Sequence, residues 1–574
     1  MQYYKEYTYT NDNTNDNTNL TEIIYNSSDE NIINNRAING DIVNILNNEV
    51  ICIKERNIKN IIGILYLDSK VKYGSIKDKS YYLFKPTNKL YPDFYIPYKN
   101  NGKNYKVYCI IKFKEWNINN KLPIGTLIEV IGNIDNEINE IEHLRNFYEI
   151  RNDNFKPNDK TNDKTYNKRN DKTNYIIENL EKENIDYEVF SIDPFGSKDI
   201  DDAFHYNKLD ENIYEIGIHI ASPYKFFEND LLKIMDRVST VYTKYKKYNM
   251  LPNDYADNIC SLIENKKRYA LSVIITVKNN NFDSYIIRET IVQNIKNYDY
   301  DNFDKIYKKN KNLKDFMDIS KSFFREEDID SHLLVEKWMI FTNKIIAEHL
   351  IKINLTNCII RVHNISDNNY NNLDENKELN DYLKLKMESS AKYEIYNKTK
   401  EDQKHSKLGN DFYTHFTSPI RRAVDLFIHA LIINEKDIIE NDLLQKIIDK
   451  INIFTKNTRK FERMSKRIYF IYSLKDNPEN IITYGYVIKI KENKLIIYIP
   501  EYHLEEKIVI VPRKFEKIIN LEMKKNEEDI ITEIEYNDIN NIQKKYCLYE
   551  KVEIKLWVFT SFENIFDKLK VEIL

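Results

Sequence analysis

The chain is poor in the residues that bend or cross-link a backbone. Its 574 residues include only 10 glycines, 12 prolines and 5 cysteines, whereas average usage is about 7% glycine and 5% proline. The cysteines are scattered and form no Cys-x-x-Cys pair, which argues against a zinc site and favours a reducing compartment. Each of the few glycines and prolines is therefore expected where backbone geometry demands it.

Long apolar runs and a large net charge are missing as well. No run of about 18 apolar residues occurs, and the first residues, MQYYKEYTYT, contain no apolar signal region. We therefore expect an intracellular, cytoplasmic protein without membrane contact, with the nucleus as the alternative location. With 86 Lys and Arg against 90 Asp and Glu, no global field attracts nucleic acid, so binding it would require a local basic channel.

What the sequence does contain is a crowd of carboxylates. The ten residues from Asp193 to Asp202 read D-P-F-G-S-K-D-I-D-D and hold four aspartates against one lysine. Crowded like charges destabilise the ionised state unless a cation neutralises them, and oxygen ligands favour Mg²⁺ or Mn²⁺. Strand-like segments flank the cluster, so the pattern predicts a loop between two strands and a metal-dependent phosphoryl-transfer site.

Three other interpretations compete for this cluster. A calcium loop needs glycine at its sixth position and glutamate at its twelfth, and neither is present. A haloacid-dehalogenase phosphatase needs its D-x-D motif directly after an apolar strand, whereas Asp199 follows Phe-Gly-Ser-Lys. A solvated acidic loop without function is the remaining alternative.

A second segment, His415 to His429, points to an anion. Ser418 followed by Pro419 predicts a helix start, which would place Arg421 and Arg422 in the first helical turn. Basic residues oppose the helix dipole there, so the pair suggests a bound phosphate. The alternative is a surface helix with a salt bridge to Asp425. Apolar residues recur at helical spacing and should bury the other face: Ile420, Val424, Phe427 and Leu431.

Together these segments resemble the RNB catalytic domain of the ribonuclease II family, processive 3′-to-5′ exoribonucleases that hydrolyse single-stranded RNA with Mg²⁺. In the R-G-T-S-V-Y motif of that family, Val238 stands here in place of glycine. The pattern is closest to the eukaryotic branch that includes the exosome catalytic subunit, without that subunit's endonuclease domain. Further stretches match in the expected order: Gly217–Ser222, Arg237–Tyr242, Asn249–Pro252, Cys260–Leu262, Arg361–His363 and Phe461–Arg463.

The resemblance implies a multidomain fold that combines α/β and all-β parts. Two N-terminal cold-shock OB barrels should precede a central α/β RNB domain, and an RNA-binding OB barrel should follow it. The predicted divisions are residues 1–66 for an N-terminal segment and first barrel, 67–157 for the second barrel, 158–175 for a low-complexity linker, 176–478 for the RNB domain and 479–574 for the last barrel.

The resemblance also implies roles for single residues. Asp193, Asp199, Asp201 and Asp202 would bind the metal, Mg²⁺ or alternatively Mn²⁺. Of these, Asp201 would be the carboxylate most directly required for cleavage.

Four further residues would contact RNA. Arg421 would hold the reacting phosphate, assisted by Arg422, and Glu462 would contact the terminal nucleotide as a third catalytic residue. Tyr242 would stack on a base near the 3′ end.

The expected activity is processive hydrolysis of single-stranded RNA to nucleoside 5′-monophosphates and a short 5′ remnant. The chain would act as a monomer or in an RNA-degradation assembly. The competing prediction is a catalytically inactive RNA-binding protein of the same fold, and a phosphatase is a more distant third.

Overall fold

The computed structural model divides into two compact units, residues 1–150 with 460–574 (the terminal unit) and residues 151–459 (the central unit). The predicted linker at 158–175 lies outside the described residues. The ranges that the structure describes are 21–28, 35–57, 59–69, 71, 73–100, 102, 105–152, 187–363, 377–388, 391–400, 403–405, 408–409, 411–475, 480–510, 521–526, 529–537, 543–559 and 567–574.

The N-terminal part of the terminal unit contains two sheets. A three-stranded sheet has the order β1-β2-β3, and a six-stranded sheet has the order β4-β8-β9-β7-β6-β5 with a further β4–β6 pairing. The strands are β1 (Thr21–Ile24), β2 (Ile42–Leu46), β3 (Glu49–Glu55), β4 (Ile61–Tyr66), β5 (Ser75–Ile76), β6 (Lys79–Pro86), β7 (Phe94–Tyr98), β8 (Lys106–Glu115) and β9 (Ile124–Asn133).

Strand β4 belongs to the second of these sheets. Alternate residues of β4 are buried, as expected when one face covers a core, and it pairs antiparallel with both β6 and β8. The division predicted after residue 66 thus separates β4 from the sheet that it joins. Helix α1 (Glu137–Phe147) follows β9, and the Asn136 side chain caps it by accepting from Asn139 N at 3.1 Å.

The C-terminal part of the terminal unit is again built of strands. A five-stranded sheet has the order β21-β20-β19-β25-β26, and β22-β23-β24 form a second sheet. Val487, Ile497 and Ile554 lie in the apolar core of this C-terminal part. The strands are β19 (Ile481–Lys491), β20 (Lys494–Ile499), β21 (Leu504–Val509), β22 (Leu521–Lys525), β23 (Ile531–Asn537), β24 (Gln543–Cys547), β25 (Lys551–Val558) and β26 (Leu569–Ile573).

The central unit is organised around a closed five-stranded barrel. Its strand order is β10-β11-β12-β15-β16, and the parallel pairing of β10 with β16 closes it. Two short ribbons, β13-β14 and β17-β18, accompany the barrel. The strands are β10 (Val189–Asp193), β11 (Asp202–Asp210), β12 (Ile213–Ala221), β13 (Val241–Tyr242), β14 (Lys247–Tyr248), β15 (Lys267–Lys278), β16 (Asn281–Asp299), β17 (Ile359–Val362) and β18 (Lys392–Ile395).

Helices bury apolar side chains against this barrel in one continuous core. Trp338 is fully buried there, and all four apolar residues predicted to face inward from the Ser418 segment are buried. None of the helices within the described ranges is both long and apolar enough to cross a membrane. The helices are α2 (Tyr224–Phe227), α3 (Leu231–Met235), α4 (Tyr300–Ile306), α5 (Lys311–Phe324), α6 (Ser331–Lys352), α7 (Lys377–Glu388), α8 (Ala423–Asn434) and α9 (Asn441–Lys475), the last of which runs on into the terminal unit.

Candidate active site

The four clustered aspartates lie where the sequence predicts, on a loop between two strands of the barrel. Asp193 is the last residue of β10, and Asp202 is the first residue of β11. We call Asp193–Asp202 the acid loop. Its strand ends are fixed by the sheet, because β10 pairs with β16 and Asp202 lies in register with Ile220.

A distant serine holds the middle of the acid loop. Ser261 Oγ accepts a hydrogen bond from Ile200 N at 2.9 Å and donates one to Lys198 O at 2.7 Å. Leu262 N then donates to Ile200 O at 3.0 Å, and the Ile200 side chain is buried. The Cys-Ser-Leu motif around Ser261 therefore sets the path of the loop.

Asp201 is the most firmly placed of the four carboxylates. One oxygen accepts from Ile420 N at 2.9 Å and the other accepts from Arg421 Nε at 3.0 Å. The side chain is only 3% exposed. Burial raises the pKa of Asp201 to about 6, while the Arg421 charge opposes the rise. The pair connects the acid loop to residues His415 to His429, which we call the arginine segment. Arg421 lies 220 residues after Asp201 in the chain.

The arginine segment itself differs from the prediction. Helix α8 begins at Ala423 instead of after Ser418, and Arg422 precedes it in extended conformation. Asp425 in the first turn accepts from Ser418 N at 2.8 Å, and Arg422 is held in extended conformation by an antiparallel β-bridge with Ser239. Ser418 therefore does not cap the helix. The prediction of two arginines within the first helical turn was wrong.

The two arginines have different surroundings. Arg422 binds Asp425 through Nε and Nη2, at 3.0 and 2.8 Å to its two oxygens, which is the salt bridge of the alternative interpretation, although α8 is a buried helix. Arg421 binds Asp201 and donates from Nη2 to Ser418 Oγ at 3.0 Å, yet its side chain remains 44% exposed. Arg421 is thus the arginine that can offer donors to a phosphate, and Arg422 is held by the protein.

Asp193 and Asp202 lack a neutralising partner of this kind. Asp193 Oδ2 is a buried oxygen without a hydrogen-bond partner within the described ranges. Burial raises the pKa of Asp193 to about 7, and the charges of Asp201 and Asp199 add to the rise. Burial, Asp193 and Asp201 likewise raise the pKa of Asp202 well above its usual range. These two carboxylates repel each other and would gain from a shared cation.

Asp199 is held by a hairpin that the acid loop faces. Tyr242 Oη donates to Asp199 Oδ2 at 2.5 Å, and Lys247 Nζ lies 3.2 Å from Asp199 Oδ1. Lys247 also contacts Asp257 at 2.5 Å. Burial and then the Asp199 hydrogen bond raise the pKa of Tyr242, so its hydroxyl stays protonated. The Tyr242 side chain is nevertheless 44% exposed.

Backbone hydrogen bonds tie this hairpin to the arginine segment. Ala423 N donates to Val238 O at 2.8 Å, and Thr240 N donates to Arg421 O at 3.0 Å. Val238 has a left-handed φ of 65°, a conformation that glycine adopts freely and a β-branched residue adopts at a cost. The glycine expected from the family motif is thus replaced by valine without loss of the conformation.

Two residues near the carboxylates were not predicted. Lys247 pairs with Asp199. Tyr300 lies at the start of α4, and burial followed by the charges of Asp202 and Asp193 raises its pKa to about 12. The Tyr300 ring stacks on His332 with 3.6 Å between ring centroids. Tyr300 follows Asp299, which is the register partner of Asp193, but a tyrosine is no signal in a chain with 44 of them.

Glu462 lies in α9, within the terminal unit, whereas the other predicted site residues belong to the central unit. Its role at the terminal nucleotide therefore stays a prediction.

The carboxylates suit a divalent cation in chemistry more than in arrangement. Across the described part of the chain, no three carboxylate, imidazole or thiol groups are arranged to hold a metal ion. The donors are nevertheless all oxygens, the uncompensated pair is Asp193 with Asp202, and Asp193 Oδ2 lacks a partner within the described ranges. Hard cations such as Mg²⁺ take such ligands, so these carboxylates fit a divalent cation.

Comparison with known families agrees with this geometry. A model of the RNB domain matches residues 181–323 and 314–436, which include the acid loop and the arginine segment. A model described as Dis3-like cold-shock domain 2 matches residues 81–147, which run from β6 to α1.

A curated relative extends the similarity beyond these domains. The chain is 23% identical to the probable exosome complex exonuclease RRP44 of Caenorhabditis elegans over 551 residues, which cover 80% of this chain and 56% of the relative. The chain thus spans about half the length of the curated relatives it matches.

Two solved structures share the fold. Ribonuclease R of Mycoplasma genitalium, in complex with ribose-methylated single-stranded RNA, aligns with a TM-score of 0.71 and 17% identity over 97% of this chain and 99% of that one. Yeast Ssd1, described as a pseudonuclease, aligns with a TM-score of 0.65 and 15% identity over 94% and 92% of the two chains. The domain matches show that the chain contains an RNB domain and a Dis3-like cold-shock domain, and the solved structures share its fold.

Proposed function

We propose that the chain is a metal-dependent 3′-to-5′ exoribonuclease that hydrolyses single-stranded RNA processively. Its products would be nucleoside 5′-monophosphates and a short 5′ remnant. The observation that carries the proposal is the pairing of buried Asp201 with Arg421 beside the uncompensated Asp193 and Asp202. A binding protein needs no such arrangement, because grouped carboxylates repel the phosphates of RNA.

The residues of the site divide the work of phosphoryl transfer. Arg421, with its exposed face, would bind the scissile phosphate and stabilise the charge that develops on it. Ile420 N–H and Arg421 hold Asp201 in one orientation, as a group close to the reacting atoms requires. Mg²⁺, or alternatively Mn²⁺, held by Asp193 and Asp202 would neutralise the phosphate and lower the pKa of the attacking water.

A tyrosine and a glutamate would position the RNA. Tyr242 is half exposed and fixed through its hydroxyl to Asp199, so its ring can stack on a base near the 3′ end, an interaction worth about 1–3 kcal/mol. Glu462 would contact the terminal nucleotide. Membership of an RNA-degradation assembly, and the cytoplasmic location expected from the sequence, are part of the same proposal.

The test is a time course with an unstructured RNA of about 30 nucleotides labelled at its 5′ end. Wild type in Mg²⁺ should shorten the RNA to a remnant of a few nucleotides, and EDTA should stop it. Asp201→Asn should bind RNA and cut at least about 10³-fold more slowly. Asp283→Asn is the matched control, because this exposed residue lies at the other end of strand β16 from Asp299. If wild type and Asp201→Asn bind the RNA equally and neither cuts it, the chain is instead an inactive RNA-binding protein of this fold.

A further inference from the structure

The hairpin that anchors Asp199 has a composition typical of nucleic-acid contact. From Tyr242 to Tyr248 it reads Y-T-K-Y-K-K-Y, so that three lysines are interspersed among three tyrosines. We call residues 241–248, which comprise β13, a turn and β14, the lysine hairpin. The RNB family motifs that flank it end at Tyr242 and resume at Asn249, and its tip has no assigned role.

The base of the lysine hairpin is fixed to the candidate active site. Tyr242 donates to Asp199, and Lys247 bridges Asp199 and Asp257. Tyr248 is buried, and Val241 pairs with it across the ribbon. Lys247 is thus committed to acidic neighbours within the protein, and the tip is presented from a rigid base.

The tip of the hairpin is ordered by its own threonine. Thr243 N donates to Lys246 O at 3.0 Å, and Thr243 Oγ1 accepts from Lys246 N at 3.0 Å. Tyr245, at the tip, is 60% exposed. Lys244 lies over the Tyr245 ring at 5.1 Å, and Lys246 lies over the Tyr248 ring at 4.9 Å. Both lysines are exposed, so the tip combines an aromatic face with two cations.

We propose that the tip of the lysine hairpin is a second RNA-contacting surface, in which Tyr245 stacks on a base and Lys244 and Lys246 bind backbone phosphates. This inference rests on the proposed function. Tyr245 lies three positions after Tyr242, a reach of at most about 10 Å, so the contact falls within the first few nucleotides from the 3′ end. Exposed aromatic rings interleaved with cations are the combination that binds single strands regardless of sequence.

Salt dependence gives the first test, because phosphate contacts release counterions. Binding of a 5′-labelled single-stranded RNA to the full chain is measured in EDTA over a range of salt. Removing two phosphate contacts in Lys244→Gln/Lys246→Gln should make the slope of log K against log salt about 1.4 less steep. The control is Lys208→Gln/Lys278→Gln, which removes the same charge from exposed residues at the end of the barrel away from the acid loop. An equal change of slope in both double variants would overturn the proposal.

The aromatic contact is tested at single-nucleotide resolution. Tyr245→Ala should weaken binding by about 5- to 150-fold, and Tyr245→Phe, which keeps the ring, should restore most of it. With 2-aminopurine placed at successive positions from the 3′ end, wild type should change its fluorescence at one position more than Tyr245→Ala does. No difference between Tyr245→Ala and wild type at any position would contradict the stacking.

Failure of this inference can be told apart from failure of the proposed function. If wild type cuts RNA in Mg²⁺ while all hairpin variants bind as wild type does, the surface is refuted and the nuclease stands. If wild type does not cut but the hairpin variants lose affinity and salt dependence, the RNA surface stands and the nuclease is refuted.

Discussion

The buried glutamates of the terminal unit each contact a basic side chain, whereas Asp193 and Asp202 of the acid loop in the central unit lack such a partner within the described residues. Glu140 binds Lys568 Nζ at 2.6 Å, and Glu506 binds Arg467, with Nη2 at 3.3 Å. Burial raises the pKa of both glutamates, and in each case the basic partner lowers it.

In the acid loop the neighbours of a carboxylate are other carboxylates. Burial raises the pKa of Asp193 to about 7, and Asp201 and Asp199 add to the rise. Arg421 and Lys247 are cations in contact with the loop, and they bind Asp201 and Asp199 respectively. The difference teaches that the fold neutralises carboxylates where they serve structure and leaves them uncompensated where an external cation would complete the site.

The largest predicted effect comes from breaking a matched pair. Arg467→Met leaves Glu506 buried without its cation and should destabilise the protein by about 3–5 kcal/mol. Denaturant unfolding followed by circular dichroism measures the change. Arg463→Met, one turn earlier on the same helix, breaks the half-exposed contact with Glu505 and should cost less than about 1 kcal/mol. Similar costs for the two variants would contradict the contrast.

Acidification should destabilise both units, because each contains a buried histidine. Burial lowers the pKa of His143 in the terminal unit and of His429 in the central unit to about 3, whereas an unfolded histidine titrates near 6.5. The unfolded chain therefore binds more protons between these values, and stability should fall as the pH is lowered from about 6.5 towards 3.

The control for this pH dependence is the double variant His143→Gln/His429→Gln. Its stability should change less over the same pH interval in denaturant unfolding. An identical pH profile for wild type and the double variant would show that the two histidines do not remain neutral in the folded protein.

Removing one carboxylate from the acid loop should have the opposite sign to breaking a pair. In EDTA, Asp193→Asn relieves repulsion and should raise stability by about 1–3 kcal/mol. The same variant should lose the stabilisation that Mg²⁺ gives wild type by binding the folded state. Thermal unfolding with and without Mg²⁺ measures both effects, and a destabilised Asp193→Asn in EDTA would refute the idea of an uncompensated charge.

The smallest effect concerns the backbone that carries the lysine hairpin. Of the described residues with left-handed φ, Val238 is the only β-branched one. Val238→Gly relieves strain of about 1–2 kcal/mol and loses about 0.5–1 kcal/mol to chain entropy. Val238→Gly should therefore be as stable as Val238→Ala or up to about 1.5 kcal/mol more stable, the reverse of the usual order. A clearly less stable glycine variant in denaturant unfolding would contradict the strain.

The sequence predicts the acid loop well because its residues are contiguous. Four aspartates, a proline and a glycine in ten residues between two apolar segments predict a loop joining strands, and β10 and β11 confirm it. The four apolar residues predicted to face inward are buried, but so is every residue of α8 from Ala423 to Ile432, so periodicity did not distinguish one face of this helix.

What the sequence does not predict depends on distant or ambiguous partners. The helix start at Ser418 was wrong because Arg422 pairs in extended conformation with Ser239, which lies far earlier in the chain. Lys247 and Tyr300 could not be selected among 86 basic residues and 44 tyrosines, and only the fold brings them near the carboxylates. The split between Arg421 and Arg422 likewise depends on Asp201, which lies 220 residues away from Arg421.

The most direct test of the central claim is Mn²⁺ binding to the full chain, measured by electron paramagnetic resonance after EDTA treatment and dialysis. Wild type and the control Asp283→Asn should bind the ion equally, and Asp193→Asn should bind it about tenfold more weakly or worse. Equal binding by all three proteins, or no binding by wild type, would contradict the assignment of the acid loop as a divalent-cation site.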